Sequence, residues 1–233
     1  NLQCSAALVL NGKNIVGIRK VDLNAAIDSK LATAVTQTNI AATSTLHFLA
    51  DTVDFEGNAA FDLTLDIGKR HTVMRGKSTR MTEGGVAGNL DLHVAATGID
   101  VHLLDALGDC NGMLVDTLGS PLAVEIKATN ILGTPRVTAG GTSPKAAFES
   151  VLVFSDAVVS TAVNTSTRAE LQLSTKLTSR LLKDLGPVLS DIRSVKHPIR
   201  MNITHAKASL EGDLSKLHAD VRIDIGEVEL DSG

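Results

Sequence analysis

Apolar and polar residues alternate with a period of two through most of this chain. Ala59, Phe61, Leu63, Leu65 and Ile67 interleave with Ala60, Asp62, Thr64 and Asp66, and Leu217, Ala219, Val221, Ile223 and Ile225 interleave with His218, Asp220, Arg222 and Asp224. Successive side chains of a strand point to opposite faces, so each run predicts a strand with one apolar and one polar side. Val21, Leu23, Ala25 and Ile27 predict another, and Leu46 with Phe48 belongs to one more. Strands covered on both faces read as unbroken apolar runs, so clean alternation predicts antiparallel strands with one wet face. Turn signals at Asn11-Gly12, Glu56-Gly57-Asn58, Gly84-Gly85, Gly140-Gly141 and Glu211-Gly212-Asp213 punctuate the runs. The expected fold is mainly β with short helical insertions (α+β): a long, curled antiparallel meander of about ten strands, a β-groove or half-barrel. Beyond Gly226 and Glu227 the apolar phase moves to Val228 and Leu230, which predicts a β-bulge.

Two insertions break the alternation in the same way. Leu90, Leu92 and Val94 lead to Leu103-Leu104-Asp105-Ala106-Leu107-Gly108, and Pro121 then opens a strand through Leu122, Val124 and Ile126. Later, Leu171 and Leu173 precede Leu181-Leu182-Lys183-Asp184-Leu185-Gly186, and Pro198 opens Ile199, Met201 and Ile203. Leu177, Leu181, Leu182, Leu185, Val188, Leu189 and Ile192 gather on one helical stripe, with Gly186-Pro187 suited to a helix end and restart. In the first insertion Asp100 is placed to cap the start and Gly108 the end, and Met113, Leu114 and Leu118 supply a second short stripe. These repeats, about residues 90–133 and 169–212, predict bent helical pairs lying on the apolar side of one elongated β-rich domain spanning 1–233. That domain reads as a segment of a larger protein.

Composition narrows the class. A chain of 233 residues with 43% hydrophobic and 21% charged residues is globular and slightly greasy. It has no Trp, no Tyr and only five Phe, so stacking on sugars, nucleotides or bases is largely unavailable. A net charge of -4 offers no basis for nucleic-acid binding. No apolar run is long enough to cross a bilayer as a helix. Cys4 and Cys110 have no CxxC or zinc-like spacing and read as two lone thiols.

Chemical motifs are weak throughout. The histidines (His47, His71, His93, His102, His197, His205 and His218) lack HxH or HExxH spacing, so no metal site is expected. There is no GxSxG elbow, and Thr142-Ser143-Pro144-Lys145 reads as a turn. Gly84-Gly85-Val86-Ala87-Gly88 lacks the dinucleotide-binding order. Acids such as Asp62 with Asp66 and Asp220 with Asp224 belong on solvated strand faces. The basic cluster of Lys69, Arg70, His71, Arg75, Lys77 and Arg80 reads first as an exposed hairpin and second as a contact for anionic headgroups. No catalytic set, cofactor or metal is expected, and the chain reads as a non-enzyme.

The order of LLxxLG, second helical turn and Pro-strand, with the tail from Gly212-Asp213-Leu214 through Arg222-Ile223-Asp224-Ile225-Gly226, resembles large AsmA-like bacterial envelope proteins of planctomycete type. That resemblance, best over residues 90–233, implies the repeating β-groove group: elongated periplasmic half-tubes anchored in the inner membrane by parts outside this segment, carrying phospholipid or another acyl-chain ligand. On this reading the groove is lined by Phe61, Leu63, Leu65, Ile67, Leu92, Val94, Val124, Ile126, Val221, Ile223 and Ile225. The alternatives are a non-catalytic spacer domain of the envelope with a closed core, and an enzyme with a dispersed site.

Overall fold

The computed structural model describes residues 2–30, 33, 44–51, 53–54, 57–83, 86–155, 157–172, 192–195, 197–210, 217–226 and 228–230. The second helical insertion up to residue 191, with the turns at Gly84-Gly85 and Glu211-Gly212-Asp213, lies outside them, whereas Ile192, expected on its helical stripe, begins a strand instead.

The chain folds as the expected antiparallel meander. In order come β1 (Leu2–Asn11), β2 (Asn14–Ile27), β3 (Ser44–Asp51), β4 (Val53–Asp54), β5 (Ala59–Ile67), β6 (Arg70–Glu83) and β7 (Val86–Ile99), followed by helices α1 (Val101–Leu107) and α2 (Met113–Leu118). Then follow β8 (Leu122–Thr129), β9 (Arg136–Thr142), β10 (Ala146–Ser155), β11 (Val158–Thr161), β12 (Thr167–Leu171), β13 (Ile192–Val195), β14 (Ile199–Ser209), β15 (His218–Asp224) and β16 (Val228–Leu230). Among the described residues, fourteen of these strands form one sheet and β13 pairs with β16 apart from it.

Neighbours in the large sheet are neighbours in sequence almost everywhere. β11 and β12 together act as one interrupted strand: the C-terminal half of β10 pairs with β11, its N-terminal half with β12, and β14 pairs with both. The interruption at Ala162 is held by the Ala162 N–H donating to the Val151 carbonyl at 2.9 Å, and by the Thr165 hydroxyl donating to the Ala162 carbonyl at 2.7 Å.

Two local expectations change among the turns and bulges. Gly140-Gly141 is no turn but lies inside β9, paired with both β8 and β10. The turn falls instead at Ser143, whose N–H donates to the Ala146 carbonyl at 2.8 Å. Val228 and Leu230 do not continue β15 past a bulge; they belong to β16, which pairs with β13, and Gly226 with φ +63° turns the chain between them.

The helical excursion between β7 and β8 is fixed by polar side chains. Asp100 caps α1 by accepting from the His102 N–H at 3.1 Å, and it also pairs with Arg70. Buried Asp105 reaches across the turn to accept from the N–H groups of Gly112 at 2.6 Å and Leu114 at 2.8 Å, satisfying the start of α2. Leu103 of α1 packs with Ile67, Ile27 and Leu65 at one end of the sheet.

Burial is sparse. Among the described residues the buried apolar set is Ala50, Ile67, Ala96, Val101, Leu122, Ala128 and Ala162, mostly small side chains. The accessible surface is 14817 Å², about half as much again as the roughly 10,000 Å² that a compact protein of 24.4 kDa exposes. The described residues form an extended sheet with little buried apolar surface.

Candidate functional site

Directly opposed residues of an antiparallel ladder share a face, so strand register shows which side chains line up across the sheet. One row runs unbroken over twelve strand positions: Cys4, Leu23, Phe48, Leu63, Met74, Ala96, Val124, Gly141, Phe148, Ala169, Met201 and Ile223. No charged side chain interrupts it. At about 4.8 Å per strand the row is about 53 Å long. A flanking row on the same face carries Ala6, Val21, Ala50, Phe61, Gly76, Val94, Ile126 and Ala139, and beyond it lie Leu92, Ala128, Val137 and Leu152.

The opposite face is built from the intervening residues. Its central row is Ser5, Asp22, Leu49, Asp62, Arg75, Ala95, Glu125, Gly140, Glu149, Arg168, Asn202 and Arg222. The charges there are paired across strands. Arg75 Nε donates to Asp62 at 2.8 Å and Arg200 Nε to Glu170 at 3.0 Å. Four histidines hydrogen-bond carboxylates: His47 with Asp22 at 3.2 Å, His71 with Asp66 at 2.6 Å, His93 with Glu125 at 2.8 Å and His205 with Asp220 at 3.0 Å. Lys127 Nζ, 2.7 Å from Glu125, and secondarily His93 hold the exposed Glu125 carboxyl below the ordinary glutamate range.

Register brings ten of the eleven predicted contact residues onto one face: Phe61, Leu63, Leu65, Ile67, Leu92, Val94, Val124, Ile126, Val221 and Ile223. Ile225 falls just past the end of β15 and has no ladder partner. Ile67 is buried under Leu103, whereas Ile126, Val221 and Ile223 stand 37%, 52% and 53% exposed. The same apolar face also carries Leu23, Phe48, Met74, Phe148 and Met201, which the sequence reading did not place among the contact residues. Pairing carries that information: Met74 sits among Thr72, Gly76 and Ser78 in a strand whose own alternation is weak.

Glycines let two aromatic rings lie flat across the apolar face. Gly76 faces Phe61 and Gly141 faces Phe148, and a Cβ at either glycine would overlap the opposing ring. Phe61 also meets Phe48, with ring centroids 6.1 Å apart.

Three hydroxyls that intrude on this face are satisfied internally, whereas the buried Ser44 hydroxyl, opposite Ile27, has no hydrogen-bond partner among the described residues. Thr72 donates to the Gly98 carbonyl at 2.8 Å, and the hydroxyls of Ser150 and Thr167 bond each other at 2.6 Å. A cleft of about 680 Å³ lies against the middle of the sheet, and its side-chain lining on the polar face is Ala95, Thr97, Ala123, Thr142 and Ala147 rimmed by Glu125, Glu149, Arg168 and Glu170. The basic hairpin residues Lys69, Arg70 and His71 border a separate pocket of about 390 Å³ with Asp100 and His102. Among the described residues no group of His, Cys, Asp or Glu is arranged to hold a metal, and Cys4 and Cys110 are free thiols. Among the described residues no helix is long and apolar enough to cross a membrane.

No protein-family model, curated protein or solved structure matches the chain.

Proposed function

We propose that the chain is an AsmA-like segment of a cell-envelope protein that binds or conducts phospholipid, or another acyl-chain ligand, along the apolar face of its sheet. The observation that carries the reading is the charge-free row from Cys4 to Ile223. One leaflet's acyl region is about 15 Å deep, so the row of about 53 Å exceeds three such lengths. Each methylene shielded from water contributes about 0.8 kcal/mol, and an aliphatic wall that offers no fixed hydrogen-bond donors holds chains without selecting one position along the trough. The polar face, with its paired acids and bases, suits the aqueous side of such a conduit. In this proposal the segment works on the periplasmic side, anchored in the inner membrane through regions outside residues 1–233, and has no catalytic role and no nucleic-acid partner.

Native mass spectrometry of the protein purified without detergent tests it: bound acyl mass supports the reading, and a homogeneous apo mass after incubation with phospholipid vesicles counts against it. The spacer reading has one observation in its favour, the packing of Leu103 on Ile67, Leu65 and Ile27, by which the chain covers part of its own apolar face. It predicts that a dye sensing apolar surface stays dark.

A further inference from the structure

The basic residues of the β5–β6 hairpin are divided by register. Arg75 and Lys77 stand opposite Asp62 and Ala60 on the polar face. Arg70 stands opposite Ile67 on the apolar face, at the end covered by Leu103. A guanidinium beside apolar side chains is costly to leave unpaired. Asp100 supplies the partner. Its side chain is 3% exposed, with one oxygen on Arg70 and the other accepting from the His102 N–H at 3.1 Å and the Ser120 hydroxyl at 3.4 Å. The buried acid is thereby satisfied, and the arginine is not. Arg70 remains 37% exposed, and among the described residues Nη1 alone of its guanidinium nitrogens has an acceptor, although the group carries five N–H donors.

The same imbalance surrounds the pocket of about 390 Å³ that Arg70 and Asp100 border with Lys69, His71, Gly98, His102, Ser120 and Pro121. His71 spends Nδ1 on Asp66 at 2.6 Å, while the Lys69 ammonium and the His102 ring have no partner among the described residues. The one carboxylate lining the pocket is engaged, and the donors of Lys69 and Arg70 are left over. The pocket is also preformed. Gly98, with φ +69°, has the His71 carbonyl where a Cβ would stand, so the hairpin closes directly onto the end of β7. The Thr72 hydroxyl locks that contact by donating to the Gly98 carbonyl at 2.8 Å.

We infer that this pocket seats a phosphate group, carried as the headgroup of the acyl-chain ligand. Two permanent cations, Lys69 and Arg70, face one carboxylate that is already paired. A guanidinium held through one terminal nitrogen presents its other N–H groups as a fork that matches phosphate oxygens. Arg70 opposes Ile67 and His102 precedes Leu103, so a phosphate bound here starts its acyl chain on the cluster of Ile67, Leu65 and Leu103. One end of an otherwise unselective wall thereby gains a fixed point. This rests on the lipid reading for the chain alone; the phosphate contacts stand on the hairpin.

Calorimetric titration of the full 233-residue chain with decyl phosphate, decyl glucoside and inorganic phosphate, each decyl ligand below its micelle concentration, tests it. Decyl phosphate is expected to bind about tenfold or more tighter than the uncharged glucoside, the gain of one charge-assisted hydrogen bond, and to shift the Arg70 Nε–H NMR signal. Lys69→Gln, at an exposed and unpaired position, should weaken decyl phosphate about threefold. Arg70→Lys keeps a cation against Asp100 but removes the fork, and should weaken it about tenfold, with decyl glucoside unmoved by either change. Equal affinity for the two decyl ligands, or equal losses for both in the variants, overturns the inference and leaves the lipid reading standing. Inorganic phosphate that shifts the Arg70 signal while neither decyl ligand binds overturns the headgroup assignment together with the lipid reading, and gives the pocket to free phosphate.

Discussion

Ile126 sits near the centre of the proposed lining, between Val94 on β7 and Ala139 on β9. Replacing it with Asp separates folding from ligand binding. The side chain is 37% exposed, so the folded state loses only the covered part of its transfer energy, about 1–2 kcal/mol. The poorer strand propensity of Asp adds up to about 1 kcal/mol. A domain with an ordinary stability of about 5–15 kcal/mol survives that loss. An acyl chain lying across this position loses contact along about three methylenes, about 2.4 kcal/mol, or about 60-fold in affinity. Desolvation of the new carboxylate adds to the loss. The matched control is Thr138→Asp, one residue before Ala139 on the polar face and opposite Lys127, where an added carboxylate meets a cation in water. The assay is displacement of a fluorescent fatty acid, with far-UV circular dichroism to show that both variants fold. Equal loss in the two variants, or full retention by a folded Ile126→Asp, would refute the assignment of the faces.

Gly141→Ala should destabilise the sheet by about 1–3 kcal/mol through overlap with the Phe148 ring, and Phe148→Ala in the same chain should recover much of the loss; additive melting shifts would contradict the ring-over-glycine packing. Asp105→Ala strips two part-buried N–H groups at the start of α2 of their acceptor, so a loss of about 1–2 kcal/mol is expected, with faster amide exchange at Gly112 and Leu114. Glu125 has a lowered folded pKa, so its stabilising contribution is present above the ordinary value of 4.5 and is lost as pH falls through the depressed one. Because the Glu125 side chain is exposed, the effect is small: Glu125→Gln should slightly lower stability near neutrality and flatten the acid limb, so that the two curves converge as pH falls through the depressed pKa.

The faces of single strands were legible in the chain wherever alternation was clean. The residues from Ala59 to Ile67 declare an apolar side unaided, and so do Val21 to Ile27. Asp100 and Gly108 likewise announced the ends of the first helix through ordinary capping chemistry. Other features depend on partners that no single strand reveals. Gly140-Gly141 carries a turn signature, yet it lies within a central strand because Phe148 on the neighbouring strand needs the space above Gly141. Met74 belongs to the lining although Thr72, Gly76 and Ser78 hide its phase. Thr72 is satisfied by the Gly98 carbonyl, and Gly76 makes room for Phe61. The shift at Val228 is compatible with a bulge in the same strand, and only pairing with β13 reveals a second sheet. The twelve-position row itself is a property of eleven registers and not of any one sequence segment.

The account depends on one face of the sheet meeting acyl chains and the other meeting water. Methyl-labelled NMR with micellar phospholipid carrying a nitroxide in its acyl chain reads both faces at once. Leu63, Val94, Val124, Ile126 and Ile223 methyl signals are predicted to broaden, while Leu49, Val73 and Val151, whose ladder partners place them on the polar face, stay sharp. Equal broadening of the two sets, or none in the first, would contradict the central claim.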